Sequence, residues 1–155
     1  MWSVLLSAAV LAVPFVPQEK DTCGAASLAM VLRYWEHPVA QGEIAAELFE
    51  PELAGIRGSR LADFARRRGF LAIAYAGDLD HLRAFVGKGR PIIVAWRVEP
   101  DRFHDVVVVG FDEARGDVVV HDPALGPSRR VGEEEFERLW AGSRHWALVV
   151  LPEAE

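Results

Sequence analysis

Two valine-rich runs separated by a short polar turn constrain this chain more than any other feature. Phe103 to Phe111 contains Val106-Val107-Val108-Val109, and Asp117 to Asp122 contains Val118-Val119-Val120. β-branched residues at this density fit strands better than helices. Between the runs lies Asp112-Glu113-Ala114-Arg115-Gly116. That segment predicts a turn and makes the two runs an antiparallel hairpin. Pro91 to Val98, Trp146 to Leu151 and the shorter Leu71 to Ala76 read as further strands. Pro123 and Gly126 break the chain after the hairpin.

The first half reads differently. From Cys23 to Trp35, small and apolar residues dominate, and Leu28, Val31, Leu32 and Trp35 recur at helical spacing. Val39 to Phe49 reads as a second helix stopped by Pro51, and Glu52 to Gly58 as a loop. Ser59 is a plausible cap for a helix through Arg68, closed by Gly69. Asp78 caps a helix through Val86, and Glu133 to Trp140 forms a late short one. A helical lobe followed by an antiparallel sheet is an α+β arrangement.

Bulk properties narrow the class. A chain of 155 residues holds one domain with a real core and is too short for two comfortable ones. With 51% hydrophobic and 26% charged residues, the composition suits a globular fold rather than disorder. The net charge of −6 gives no footprint for nucleic acid. The single cysteine excludes an internal disulfide and a cysteine-based zinc cage. Trp2 to Val13 is an apolar run with small residues at Ser7, Ala8, Ala9 and Ala12. It resembles the core of a secretory signal without a basic start, and is too short to span a bilayer. We read residues 1–12 as a processed or truncated export segment and 13–152 as the domain. The alternative is a first strand or helix of the fold itself. Export, or else a cytoplasmic location, and a transient membrane contact through this segment are expectations that rest on that reading.

Chemistry enters with Cys23. It falls in the first turn of its helix, after the polar Asp21-Thr22 pair that can cap it. A sulfur there feels the positive end of the helix dipole and nearby unpaired amides, both of which favour thiolate. That placement proposes covalent catalysis. The plain alternative is a buried cysteine acting as a small hydrophobe.

A cysteine nucleophile needs a base, and the base an orienting partner. Of five histidines, His37 and His81 read as surface residues, and His145 opens the last strand. The hairpin turn brings the start of its first strand beside the end of its second, so His104 lies near Asp122. Side chains alternate along a strand. If Asp122 faces the cleft, His121 faces away. His104 as base and Asp122 as its orienting partner is therefore the better pair. Gln18, shortly before the nucleophile, can donate to a developing oxyanion together with the Cys23 amide.

These residues resemble a known family. The Pro-Gln segment at Pro17-Gln18, a short acidic spacer, Cys23-Gly24-Ala25-Ala26 followed by Leu28-Ala29-Met30-Val31-Leu32, His104 before its valine run, and Asp122-Pro123-Ala124 look like the bacteriocin-processing cysteine peptidases, in their stand-alone branch. The resemblance runs from about Val13 to Leu151. It implies a papain-like fold and cleavage of peptides, in the best-known members after a double-glycine leader. It implies Cys23 as nucleophile, His104 as base, Asp122 as its partner and Gln18 as oxyanion donor, acting on a peptide or protein substrate with no cofactor. The sequence leaves two other functions standing: an idle peptide-binding module, and an acyl transferase using the same thioester. The spacer is one residue shorter than in the transporter-linked members. Thr22 stands where an acidic residue often precedes the nucleophile.

Overall fold

The computed structural model describes residues 9–153. Most of the leader-like run, residues 1–8, lies outside them. In chain order the elements are β1 (Ala9–Val10), α1 (Cys23–Tyr34), α2 (Gln41–Leu48), α3 (Gly58–Arg67), β2 (Phe70–Ala76), α4 (Leu79–Gly87), β3 (Ile92–Glu99), β4 (Arg102–Asp112), β5 (Asp117–Asp122), β6 (Gly126–Gly132), α5 (Glu133–Ala141) and β7 (Trp146–Pro152). Among the described residues the strands form one antiparallel sheet in the order β2-β7-β3-β4-β5-β6. β1 adds to β4 beyond the end of β3, with Ala9 opposite Phe111 and Val10 opposite Gly110. No helix among the described residues is long and apolar enough to cross a membrane.

The valine runs are apolar at every position because the middle of the sheet is covered on both faces. Val107 and Val109 pack with Leu28, Val31, Leu61 and Phe64 of α1 and α3 on one side. Val106 and Val108 pack with Leu82, Phe136 and Trp140 of α4 and α5 on the other. The helical lobe thus packs on the sheet as expected, with α4 and α5 added behind it. Asp78 caps α4 by accepting from the His81 amide at 2.8 Å.

Three local expectations differ from the structure. The sequence of β6, Gly126-Pro127-Ser128-Arg129-Arg130-Val131-Gly132, carries one large apolar residue and predicts only broken chain. It is an edge strand, held by its ladder to β5 rather than by buried side chains. α3 begins at Gly58, and no side chain caps it. A Cβ at Gly58 would stand 2.3 Å from the Trp146 ring, so a glycine lets the helix start against that indole. Thr22 does not cap α1 with its hydroxyl, whose one proton is shared between the Glu19 carbonyl at 2.9 Å and Gln41 Oε1 at 3.1 Å. The first-turn amides of α1 are therefore spared a side-chain acceptor next to the sulfur.

One irregularity decides which residues meet at the site. From the turn, β4 and β5 pair Asp112 with Asp117, Phe111 with Val118 and Gly110 with Val119. Past Val109 the register slips, and Val108 pairs with Val120 and Val107 with His121. Continued, that register sets Asp122 opposite Val106, on the face that His104 shares. Without the bulge Asp122 would oppose Val107 and point to the other face, because a one-residue slip inverts every side chain.

Candidate active site

Cys23 opens α1 and lines a cavity of about 790 Å³ together with Gln18, Gly55, Ile56, Gly58, His104, Asp105 and Trp146. Its Sγ accepts a 3.4 Å hydrogen bond from the Asp105 amide. The helix lobe thus presents a sulfur to the end of β4, the strand that carries His104. Cys23 is partly exposed rather than sealed in the core.

His104 and Asp122 meet across the hairpin. His104 Nε2 and Asp122 Oδ1 are 2.7 Å apart, with side chains 12% and 4% exposed. Since a carboxylate only accepts, Nε2 carries the proton and Nδ1 is left for the sulfur. Burial works against the charged imidazole. The Asp122 hydrogen bond, the hydrogen bond to Cys23 and the negative charge of both partners outweigh it, raising His104 to about 10. Burial likewise pushes the Asp122 carboxyl up, but the His104 bond and charge and the amides of Ala124 and Leu125 hold it below the usual carboxylate range. Asp122 also builds the turn into Pro123, accepting from the Ala124 amide at 2.9 Å.

His121 faces the opposite way. Its Nε2 lies 2.7 Å from the Val13 carbonyl, and its Nδ1 accepts from the Ser128 amide at 3.0 Å. That pattern fixes a neutral ring, and burial lowers its affinity for a second proton. It anchors the entering chain and takes no part in the cleft.

Gln18 reaches the cavity wall on a segment held from two directions. Its backbone N–H donates to the Pro123 carbonyl at 2.9 Å, directly beside Asp122. Gln41 of α2 donates to the Pro17 carbonyl at 2.5 Å and accepts from the Glu19 amide at 3.1 Å. Gln18 Oε1 is buried without a hydrogen-bond partner among the described residues.

Trp96 and Trp140 are buried in the core, whereas Trp146 lines the cavity. Asp105 is a residue that sequence reasoning passed over. It shares a face with Val107 and Val109, so its side chain turns toward α1 rather than with His104. The signal was available: an acid one place inside a run whose alternate positions all pack on the helix. Asp105 is only 9% exposed, and burial pushes its carboxyl up to about 7 although the positive His104 draws it back down.

The glycine after Cys23 is explained by the same neighbour. A Cβ on Gly24 would lie 2.9 Å from Asp105 Oδ2 and 3.2 Å from Leu61 Cδ1. Gly24→Ala therefore overpacks the floor and is expected to lower stability by about 1–3 kcal/mol in urea unfolding. Adding Asp105→Ala should recover part of that loss.

A helix-borne sulfur set against an imidazole and carboxylate on an antiparallel sheet is the architecture of a papain-like cysteine peptidase. Residues 10–147 match the model of the Peptidase_C39 like family, and the chain belongs to that family. Solved structures agree in fold. One is a double glycine motif protease from an AMS/PCAT transporter, solved with its leader peptide. It is 28% identical with a TM-score of 0.76, over 94% of this chain and 95% of that one. A putative C39-like peptidase from Bacillus anthracis is 19% identical with a TM-score of 0.77, over 96% and 100%. The peptidase domain of Streptococcus ComA, a bi-functional ABC transporter of a quorum-sensing pathway, is 22% identical with a TM-score of 0.75, over 94% and 99%. No curated protein gives a significant match to the sequence.

Proposed function

We propose that this chain is a thiol peptidase that cleaves peptide bonds through Cys23, His104 and Asp122, with Gln18 as an oxyanion donor. The single observation that carries the reading is the His104 ring, hydrogen-bonded to the buried Asp122 carboxylate and set in the wall of the same cavity as the Cys23 sulfur. An imidazole lifted to about 10 is protonated at neutral pH, and beside a sulfur it forms an ion pair with a ready nucleophile.

Each residue then has one task. Cys23 Sγ attacks the carbonyl carbon, and the oxygen takes up negative charge. The Cys23 amide and the Gln18 side chain stabilise that charge. His104 gives its Nδ1 proton to the departing amine, leaving a thioester. It then takes a proton from water, whose oxygen adds to the thioester carbonyl; the C–S bond breaks, releasing the acyl product as an acid and restoring the thiolate beside the protonated ring. Asp122 holds the ring in the required tautomer throughout. The substrate is a peptide, as in the leader complex of the transporter protease. The export reading of the N-terminal segment belongs to this proposal, and the N-terminus of the protein isolated from its native host tests it. An unprocessed Met1 would overturn that part.

A digest of cell protein offers the wild-type chain thousands of peptides, and new N-termini read the cleavage. Gln18→Ala should then lower kcat/KM on a cleaved peptide by about a hundredfold, near 3 kcal/mol of barrier. Its melting temperature should hold. Unchanged kinetics in this variant would remove Gln18 from the oxyanion site.

A further inference from the structure

The Asp105 carboxyl has no role in the line from sulfur to imidazole to Asp122, yet it sits inside the same cleft. Its residue lines the cavity, and its Oδ2 lies against Gly24, with Ile56 and Leu61 beside it. It is more than nine-tenths buried. Its side chain makes no hydrogen bond and no ion pair among the described residues, while its own amide is spent on the Cys23 sulfur. A buried carboxyl without a partner costs stability that an apolar side chain here would not.

Charge sharpens the point. When Asp105 ionises, it is a second carboxylate beside an imidazolium that Asp122 already holds. That imidazolium is already hydrogen-bonded to Asp122, whose charge it balances. The cations of the cavity wall do not relieve Asp105. Arg57 is an exposed side chain paired with Glu50 at 3.2 Å, and Lys20, Arg102 and Arg144 are exposed residues without an ion pair to Asp105. The floor of the cleft is therefore short of one positive donor.

We infer that Asp105 is a specificity-determining residue that selects substrates carrying an ammonium or guanidinium group close to the scissile bond. The inference rests on the peptidase reading of the cleft and adds a substrate class to it. A cation seated on Asp105 supplies the missing hydrogen bond and balances the surplus negative charge. A site built to pair a donor also rejects peptides that lack it, because the buried acceptor is then left unpaired. The ordinary ionisation of Asp105 supports this: burial raises it to about 7, and a bound cation would return it to its charged form.

Two measurements on the whole chain test it. In the first, peptides that the wild type cleaves are resynthesised with Lys, Arg, Gln or norleucine at each of the positions flanking the cut. The wild type should favour Lys or Arg at one position by about tenfold or more, and Asp105→Asn should lose that preference. Equal profiles for the two proteins would overturn the inference and leave the peptidase reading intact. The second measurement needs no turnover. Cys23 is modified with a cationic thiol reagent, 2-aminoethyl methanethiosulfonate, and with its neutral methyl analogue, at pH 8. The ratio of the two rates cancels any change in the sulfur itself. It should fall by about threefold or more in Asp105→Asn. An unchanged ratio counts against the inference even where no peptide is cleaved, and total absence of cleavage by the wild type overturns the peptidase reading separately.

Discussion

Cys23→Ala lowers peptide turnover by roughly ten-thousandfold or more while the chain stays folded. The cavity wall holds one other hydroxyl or thiol among the described residues, that of Ser143. Its Oγ donates to the Trp140 carbonyl at 2.9 Å and accepts from the Trp146 amide at 3.1 Å, so it is no substitute. Removing Cys23 Sγ takes away a 3.4 Å contact from the Asp105 amide and the partner of the His104 ring, and neither belongs to the apolar core. The melting temperature should move by about 3 °C or less. His104→Ala should give a loss of similar size, and the double variant little more than either. Residues that act as one unit are not additive. Product masses from the wild type also separate hydrolysis from acyl transfer, since a transferase product carries the mass of an added amine.

Asp105→Asn is expected to stabilise the protein at pH 8 and to leave it almost unchanged near pH 4. Burial raises the folded-state carboxyl from 3.8 to about 7, with His104 the one charge drawing it back. The folded chain therefore binds more protons at this group than the unfolded chain between those values. Stability must fall as pH rises across that window. The fully developed penalty is up to about 4 kcal/mol, present above pH 7 and absent below the unfolded value. Asparagine carries no charge and escapes it. For a chain of this size the gain corresponds to roughly 10 °C in melting temperature at pH 8. Thermal melts of the two proteins from pH 4 to 8 should converge at the acid end. Parallel curves would show that Asp105 ionises as freely in the fold as outside it. Such a penalty is what an active-site group imposes when it is kept for a substrate rather than for the fold.

Much of this was readable in the residues. The paired valine runs and the turn between them dictated the hairpin, and the hairpin brought His104 and Asp122 together. Alternation along β5 correctly sent Asp122 and His121 to opposite faces. Turn position alone, however, could not specify which face is which. The bulge at Val109 supplies that parity, and nothing in a run of four valines marks where a strand will bulge. β6 escaped notice because an edge strand needs only a neighbour's backbone. Asp105 escaped notice because its neighbour His104 offered a simpler chemistry. The hydroxyl of Thr22 looked like a cap but found nearer partners in Glu19 and Gln41, which are set by tertiary contact with α2.

The central claim is that the Cys23 sulfur and the His104 ring work as a charged pair. The most direct measurement is the rate at which iodoacetamide alkylates Cys23 at pH 7, in the wild type and in His104→Ala. The pair predicts a wild-type rate about tenfold or more above that of a free thiol such as glutathione, falling sharply when the imidazole is removed. A wild-type rate no higher than glutathione's, and the same in His104→Ala, would contradict it.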